Sequence, residues 1–360
     1  MITFSQLGRV LGLYGKKIYD WYKDYLSEFR TYKVQEELHK NDIVDPDIID
    51  KKTGEIKTVA VPIFKSWNFG KEMSVDDKNI GGIGYLIFRN KKTGKIALMI
   101  STTKLKLVKK VLYKLPAKIT FAVEKVTRDM ASGYYWFFKE VFPQAVQIAD
   151  KFHVIKHALD ALQDVRVRYR QMFLTRRRKA YEAHKKDEKK RKKECEKRGD
   201  KFEKNKFKYK ENTYENGETP LELLARSRYL LFQFTHQWNE YQKERAMILF
   251  REFPEIEKSY ILCCRFRNWM KRDNIGENKE KLLQIIRPWF KDVEDQDIEE
   301  IVNFKSFVER NFHFIFNYFK SGDTNADAEG LNSQIQRFIG MNVGVKDRDF
   351  FHFRMERYFS

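Results

Sequence analysis

The sequence is poor in the residue types on which several protein classes depend. It has only three cysteines in 360 residues, namely Cys195, Cys263 and Cys264. That number excludes a disulfide scaffold and a four-cysteine zinc site. No apolar run approaches the roughly 18 residues of a spanning helix, no secretory signal peptide opens the chain, and no glycine-rich phosphate loop occurs. Histidine is scarce, at 7 residues, and no His-Glu-x-x-His zinc motif or cysteine–histidine nucleophile pair is found.

Positive charge, by contrast, is abundant. Lys and Arg number 71 against 51 Asp and Glu, a formal net charge of +20. Net charge affects what a protein associates with rather than how it folds. This surplus therefore predicts a polyanionic partner such as a nucleic acid. The alternative is attachment to an anionic membrane surface. The length allows two or three domains with full cores, and the cysteine usage fits a reducing compartment such as the cytoplasm.

Residues 1–26 predict two short helices, the first capped by Thr3 and Gln6. An apolar stripe on the first helix consists of Leu7, Val10 and Leu11. Small and apolar residues recur at the spacing of a helix-turn-helix, at Gly8, Gly12, Ile18 and Trp21. Lys16 and Lys17 would then open the helix that contacts DNA. The alternative is an ordinary helical hairpin.

Residues 27–70 predict a linker, because charged and turn-forming residues dominate there. One strand-like run, from Thr58 to Phe64, interrupts this stretch. Pro62 lies inside the run and cannot donate to a sheet, so it restricts the run to an edge strand or an extended passage.

Residues 71–157 predict three antiparallel strands, a helix, a strand, a helix and a strand. The expected strands are Met73–Asp76, Ile83–Arg89, Lys95–Ser101, Lys118–Val126 and Ala145–Ala149. The expected helices are Lys104–Lys114 and Ala131–Phe142. This order predicts an α/β fold, a mixed sheet with helices on its faces, which is the layout of an RNase-H-like domain. Other α/β folds share parts of it.

Residues 154–320 predict helices throughout, and residues 321–360 a further helix from Ala328 to Ile339. Within the first stretch, residues 176–210 contain 18 Lys or Arg and 7 Asp or Glu, a net charge of +11. The segment has too few apolar residues for a core of its own. We interpret it as an arm that binds phosphates, with DNA-binding residues at Arg176, Arg177, Arg178 and Lys179. The alternative is a solvated arm or coil, which would leave the salt dependence of DNA affinity unchanged.

Three carboxylates stand at the ends of predicted elements. Asp76 closes the first strand of residues 71–157, Asp129 follows the fourth, and Glu329 opens the last helix. In an RNase-H-like sheet these ends are neighbours, so the three acids would converge. Converging carboxylates raise one another's pKa unless cations pair with them, and Mg²⁺ prefers such oxygen ligands. The pattern predicts Mg²⁺-dependent phosphodiester chemistry, although each acid alone could be a turn residue or a helix cap.

A second cluster is formed by Asp150 and His153. The aspartate ends the fifth predicted strand and the histidine begins the next helix. We interpret both as active-site residues, and the alternative is a capping aspartate beside a hydrogen-bonded histidine.

Several short motifs together resemble the DDE transposases of bacterial insertion sequences, of the ISL3 type. They are Met73-Ser74-Val75-Asp76-Asp77-Lys78, Val126-Thr127-Arg128-Asp129-Met130, Phe142-Pro143-Gln144-Ala145, Ala149-Asp150-Lys151-Phe152-His153-Val154 and Ala328-Glu329-Gly330-Leu331-Asn332. The resemblance covers about residues 60–355. The block around Asp150 and His153, together with the block around Glu329, makes the resemblance specific to this family. Short acidic motifs alone would not be specific.

The resemblance implies a catalytic triad of Asp76, Asp129 and Glu329 that binds two Mg²⁺ ions, with Mn²⁺ as a substitute. It implies an RNase-H-like core in two parts, 71–157 and 321–360, interrupted by a helical insertion at 158–320. The family usually has Asp-Glu where this chain has two aspartates, so the choice between Asp76 and Asp77 stays open. Asp150 and His153 match an Asp-x-x-His signature, which we interpret as active-site support.

The resemblance also implies a reaction and its partners. Double-stranded DNA would be cut at terminal inverted repeats and joined to target DNA through a freed 3′-hydroxyl. Because two ends must be brought together, we expect a homodimer on DNA, in the bacterial cytoplasm with the nucleoid. Family members often carry an N-terminal zinc-binding region and a longer DNA-binding segment. This sequence has neither, so we expect truncation or a separate N-terminal DNA-binding polypeptide. The alternatives are a non-catalytic DNA-binding protein derived from a transposase, and a metal nuclease that cuts without joining.

Overall fold

The structure of the protein is a computed structural model. It describes residues 3–49, 54, 56–131, 133–322, 326–341 and 347–360, without the side chains of 326–329, 331, 332 and 341. The chain forms two compact units. The first consists of Met1–Val154 and His313–Ser360, and the second of Ile155–Phe312.

The described strands all belong to the first unit, whereas helices occur in both. The strands are β1 (Ile43–Ile49), β2 (Ile56–Val59), β3 (Ile63–Phe64), β4 (Glu72–Ile80), β5 (Ile83–Asn90), β6 (Ile96–Ile100), β7 (Lys125–Arg128) and β8 (Val146–Ala149). The α-helices are α1 (Phe4–Leu11), α2 (Gly15–Trp21), α3 (Tyr32–His39), α4 (Leu105–Leu112), α5 (Ala117–Ala122), α6 (Tyr134–Val141), α7 (Lys151–Arg198), α8 (Pro220–Arg226), α9 (Glu240–Glu252), α10 (Pro254–Trp269), α11 (Lys279–Gln296), α12 (Glu299–Arg310), α13 (Phe312–Ser321), α14 (Ala326–Met341) and α15 (Arg348–Phe359).

Six strands form one mixed sheet in the order β3-β6-β5-β4-β7-β8. The pairs β3–β6, β6–β5 and β5–β4 are antiparallel, whereas β4–β7 and β7–β8 are parallel. The expected mixed α/β sheet is therefore confirmed. Parallel neighbours need a crossover connection. Helices α4 and α5 lead from β6 across to β7, which pairs with β4, and α6 connects β7 to β8.

Each face of the sheet has its own apolar core, because successive strand residues point to opposite faces. One face packs Met73, Val75 and Phe88 with residues of α4 and α6, such as Val108 and Phe138. The other face joins sheet residues to the C-terminal helices. Its buried members include Tyr85, Ile87, Met99, Ile335, Phe338, Phe351 and Met355. Helices α14 and α15 thus cover the second face of the sheet.

The predicted strand over Lys118–Val126 is wrong in its first two thirds. Pro116 caps a short helix, α5, and the strand β7 begins only at Lys125. No residue of α5 is buried, whereas Val126 to Arg128 are. The β-branched residues of the run favoured a strand locally, but only its end finds strand partners, in β4 and β8.

The first two helices are present, with the predicted capping box between Thr3 and Gln6. The apolar stripe is wrong in two of its three members, because Val10 and Leu11 are 81% and 56% exposed. The helices instead meet through glycine. A Cβ atom on Gly8 would lie 2.5 Å from the carbonyl oxygen of Leu13 in the turn and 3.0 Å from the backbone nitrogen of Gly15 in α2, and the rings of Phe4 and Tyr19 lie 5.5 Å apart between centroids. Close backbone approach and this aromatic contact, rather than the predicted apolar stripe, join the pair.

Residues 27–70 hold more structure than a linker. They contain α3, the antiparallel pair β1–β2 and the sheet strand β3. Phe29 and Leu38 pack against Phe350 and Phe353 of α15. The expected run Thr58–Phe64 is divided: its start belongs to β2 and its end to β3 at the edge of the larger sheet, and Pro62 lies between the two strands.

The second unit is mainly helical, and its longest stretch without helix or strand is residues 199–219. The expectation of helices throughout is therefore wrong for that stretch. Within this unit, Phe207 lies beside two rings of the long helix α7, at 5.2 Å from Tyr181 and 5.3 Å from His184 between ring centroids. These contacts hold the irregular segment against α7.

Candidate active site

Three aspartates follow one another across the parallel part of the sheet. Val75 of β4 pairs with Arg128 of β7, which in turn pairs with Ala149 of β8. The next residue along the chain is an aspartate in each case, namely Asp76, Asp129 and Asp150. Asp129 and Asp150 follow the ends of β7 and β8, but the prediction that Asp76 closes its strand is wrong, because β4 continues to Ile80 through its pairing with β5. The carboxyl ends of parallel strands are where open α/β sheets bind their ligands. The register therefore brings three of the predicted site residues into one row at that edge.

The two adjacent aspartates of β4 lie on opposite faces. Asp76 pairs with Ile87 of β5 and shares its face, and Ile87 packs with Ile335 and Phe338 of α14. Asp77 belongs to the other face. The structure therefore puts Asp76 on the side of the sheet that α14 covers. Glu329 lies in α14, and its side chain is outside the described residues.

His153 lies between two of the aspartates. It projects from the first turn of α7, with Nε2 at 3.9 Å from Oδ1 of Asp76 and Nδ1 at 3.8 Å from Oδ2 of Asp150. Both distances are too long for hydrogen bonds, and the buried Nδ1 has no hydrogen-bond partner within the described part of the chain. Asp150 itself begins the helix, since its Oδ1 accepts from the N–H of Phe152 at 3.2 Å. Asp150 therefore caps α7, as the alternative interpretation expected, and it also belongs to the row of aspartates.

The carboxylates interact electrostatically. Partial desolvation raises the pKa of Asp77, although its side chain reaches solvent, and the charges of Asp76 and Asp129 raise it further. Burial raises the pKa of Tyr134, with added contributions from the same three aspartates. Mutual repulsion of this kind is relieved by a bound cation, and carboxylate oxygens are the ligands that Mg²⁺ prefers. The donor set fits a hard divalent ion.

Asp129 is fixed by its own loop. Its Oδ1 accepts a hydrogen bond from the N–H of Ala131, an Asx turn that orients the side chain just beyond β7. Within the described residues, no three His, Cys, Asp or Glu side chains form a ready metal-binding group. The third predicted ligand, Glu329, is not among the side chains described.

Sequence reasoning missed Arg128, which lies directly before Asp129. Its side chain is 2% exposed, and burial lowers its pKa to about 10. One signal could have identified it. Strand alternation assigns this position to the interior, where a charged residue is unusual.

The predicted DNA-binding residues lie on other elements. Lys16 and Lys17 are exposed on α2, and the Lys17 ammonium lies 5.0 Å from the centroid of the Trp21 ring. In the second unit, Arg176, Arg177, Arg178 and Lys179 are exposed on α7. Neither group takes part in the row of aspartates.

Comparison with known proteins identifies a family. A family model described as a transposase, of the DDE type and the ISL3 group, matches residues 73–355. The match includes β4 through α14 and all of the acidic residues discussed above. No curated protein and no solved structure matches the chain. No helix in the described stretches has both the length and the apolarity of a membrane span.

Proposed function

Because the chain belongs to the ISL3 family of DDE transposases, which move insertion sequences by DNA recombination, we propose that it cuts and joins DNA at a triad of Asp76, Asp129 and Glu329. The observation that carries this proposal is the parallel register of β4, β7 and β8, in which Val75, Arg128 and Ala149 are the last residues to pair between these strands and each is followed by an aspartate. Asp76 is chosen over Asp77 because it shares its face of the sheet with α14, the helix of Glu329.

The proposed catalytic core is RNase-H-like. The strand order supports it: counted from β4, the five strands β4 to β8 lie in the order third, second, first, fourth, fifth. Three antiparallel strands followed by two parallel ones is the arrangement expected of that fold. In this proposal residues 71–157 and 321–360 form the core, with 158–320 as its insertion.

The site would bind two Mg²⁺ ions, or Mn²⁺ in their place. Asp76 and Asp129 would hold one ion, and Glu329 would complete the site of the second. Such a pair of ions activates the attacking oxygen and stabilises the leaving oxygen in phosphodiester exchange. The Ala131 N–H keeps the Asp129 side chain oriented. His153 of α7 lies between Asp76 and Asp150 and, with Asp150, would support the two proposed ligands of the row.

DNA would be held by basic residues away from the acids. We assign the helix-turn-helix-like segment 1–26, with Lys16 and Lys17, to the ends of the element, and Arg176 to Lys179 to phosphates. Phosphate contacts fix register and orientation, whereas base contacts give sequence preference. A homodimer would hold the two ends together.

Strand transfer with purified protein tests the proposal. The assay uses labelled DNA from the flanks of the gene, Mg²⁺ or Mn²⁺, and the variant Asp129→Asn. The amide oxygen of asparagine can still accept from the Ala131 N–H, so the loop keeps its turn while the charge is lost. Glu124→Gln is the matched control, because it neutralises an exposed carboxylate one residue before the same strand.

The expected result is joined product from the wild type and the control, and DNA binding without cutting from Asp129→Asn. Cutting by a clean Asp129→Asn preparation would overturn the triad. Binding without cutting by the wild type would favour the non-catalytic DNA-binding alternative. Cutting without joining would favour a nuclease.

A further inference from the structure

Arg128 is an arginine in the interior of the sheet. It is 2% exposed and is among the largest fully buried side chains of the described chain. Removing a guanidinium from water is expensive unless its hydrogen bonds are replaced. Such a residue is rarely retained for packing alone, since an apolar side chain of similar volume would be at least as stable there.

The guanidinium is held by neutral partners. Its Nε donates to Oε1 of Gln147 at 2.8 Å, and its Nη1 donates to the backbone carbonyl of Asp129 at 2.7 Å. It also lies 4.7 Å from the ring centroid of Phe314 and 6.0 Å from that of Tyr134. Among the described residues no carboxylate is within ion-pair distance of it. The charge is thus directed at the backbone of Asp129.

Gln147 extends these contacts to the neighbouring elements. Its Nε2 donates to the carbonyl of Tyr135 in α6 at 3.0 Å, and its own carbonyl accepts from Nδ2 of Asn317 in α13 at 2.8 Å. The hydrogen-bonded chain from Asn317 through Gln147 to Arg128 therefore joins α13, β8 and β7 and ends at Asp129. Buried polar networks that are fully satisfied hold their members in one arrangement.

We propose that Arg128 is a positioning residue for the catalytic site. It holds the carbonyl of Asp129, so that the carboxylate leaves β7 at a fixed angle, and it places a permanent positive charge behind a row of mutually repelling aspartates. Carboxylates that bind metals depend on such supporting hydrogen bonds. This inference rests on the proposed function only where DNA cutting is the readout.

The variant Arg128→Lys separates positioning from charge. Lysine keeps the positive charge but lacks the fixed fork of donors that reaches Gln147 and the Asp129 carbonyl together. Gln147→Met is the second variant, because it removes the partner of Nε while leaving both Arg128 and Asp129 in place. It guards against the outcome that Arg128→Lys fails to fold.

The chain contains a matched control. Arg166 in the second unit is 6% exposed, and it too donates from Nε to a glutamine, Gln163, and from Nη1 to a backbone carbonyl, that of Leu224, both at 2.7 Å. Arg166→Lys therefore reproduces the loss of the same two bonds away from the aspartates. Any effect shared by Arg128→Lys and Arg166→Lys belongs to stability.

Two measurements are made on each full-length variant: affinity for Mn²⁺ alone, by calorimetry or electron paramagnetic resonance, and kcat and KM for cutting DNA from the flanks of the gene. For Arg128→Lys we expect Mn²⁺ affinity and kcat each to fall by about 10–100-fold, the usual cost of losing a supporting partner, with KM unchanged. Gln147→Met should follow in the same direction, and Arg166→Lys should match the wild type.

Wild-type values for both Arg128→Lys and Gln147→Met would overturn the inference, as would equal losses in Arg166→Lys. If the wild type binds Mn²⁺ but does not cut DNA, the proposed function fails and the Mn²⁺ comparison still decides the role of Arg128. An unchanged Mn²⁺ affinity in the variants would then reject it.

Discussion

Asp76 and Asp77 are adjacent in sequence, but the pleat of β4 gives them different surroundings. Asp76 shares the face of α14 and lies 3.9 Å from His153. Asp77 has the raised pKa, from partial desolvation first and from its two acidic neighbours second. The structure therefore gives the proposed ligand Asp76 and its neighbour Asp77 different surroundings.

The two aspartates should respond differently to the same substitution. Asp76→Asn removes a proposed ligand, so we expect cutting to fall by more than about 100-fold, the upper end of the cost of losing a supporting group. Asp77→Asn should cost less than about tenfold, because it removes only repulsion. Single-turnover cutting rates at saturating Mg²⁺ measure both. Equal losses in the two variants would contradict the choice of Asp76.

His352 predicts a pH dependence of stability. It is buried, lies 2.8 Å from the Tyr85 hydroxyl through Nε2, and has its pKa lowered to about 4 by burial first and by the nearby positive charges of His39 and Arg348. The unfolded chain binds this proton near the ordinary pKa of about 6.5. The contribution is therefore complete above pH 6.5 and is lost as the pH falls toward 4.

The expected loss is about 3 kcal/mol of unfolding free energy between pH 6.5 and 4. Urea unfolding of the wild type and of His352→Gln at several pH values isolates it, because the other titrating groups are common to both proteins. The stability difference between them should change by that amount across the window. A difference that stays constant would show that His352 does not titrate as proposed.

At the scale of elements, the pair α1–α2 depends on the absence of side chains. Gly8 is buried, with space for no Cβ beside the Leu13 carbonyl, and a Cβ on Gly15 would lie 2.8 Å from Cα of Ser5. The close approach leaves Val10, Leu11 and Tyr14 exposed. The two helices thus meet through close backbone approach at these glycines and through the rings of Phe4 and Tyr19.

Gly8→Ala should therefore separate the two helices, at a cost of about 1–3 kcal/mol of overpacking. Hydrogen exchange of residues 4–21 should quicken while the sheet stays protected. Gly340→Ala is the control, because a Cβ there meets no atom within 4 Å in α14, and it should stabilise the protein by about 0.5–1 kcal/mol. Unchanged exchange in Gly8→Ala would contradict the contact.

At the scale of the whole molecule, the charge is unevenly distributed. Residues 176–210, with a net charge of +11, carry over half of the +20 surplus. Their first part is exposed on α7 in the second unit, and the returning segment lies beside the same helix through Phe207. The greatest concentration of charge therefore occurs where the second unit has least apolar core.

Replacing Arg176, Arg177, Arg178 and Lys179 by glutamine should lower the salt dependence of DNA binding. Each phosphate contact contributes about 0.9 to the slope of log affinity against log salt, so the slope should fall by up to about 3.6. The control removes four other exposed charges of the same unit, Lys258, Arg272, Lys279 and Lys291. Equal slopes in the two variants would favour a merely solvated arm.

Much of the first unit could be predicted because the signals are local. The capping box of Thr3 and Gln6 involves residues three apart, and apolar runs between turns predict strands such as β5 and β6. The motif around Asp150 and His153 could be identified from its own few consecutive residues. Local signals failed at Lys118–Val126, where neighbouring strands decided which residues pair.

The amino-acid sequence by itself determined the alternation of strands and helices over residues 71–157, the acidic motifs, the basic segment and the family, since each depends on composition or short-range spacing. Only the tertiary structure decided that Asp76, Asp129 and Asp150 share one row, that Asp76 rather than Asp77 faces α14, and that Arg128 is buried behind them. These depend on sheet register and on packing between residues far apart in the chain, which no local pattern specifies.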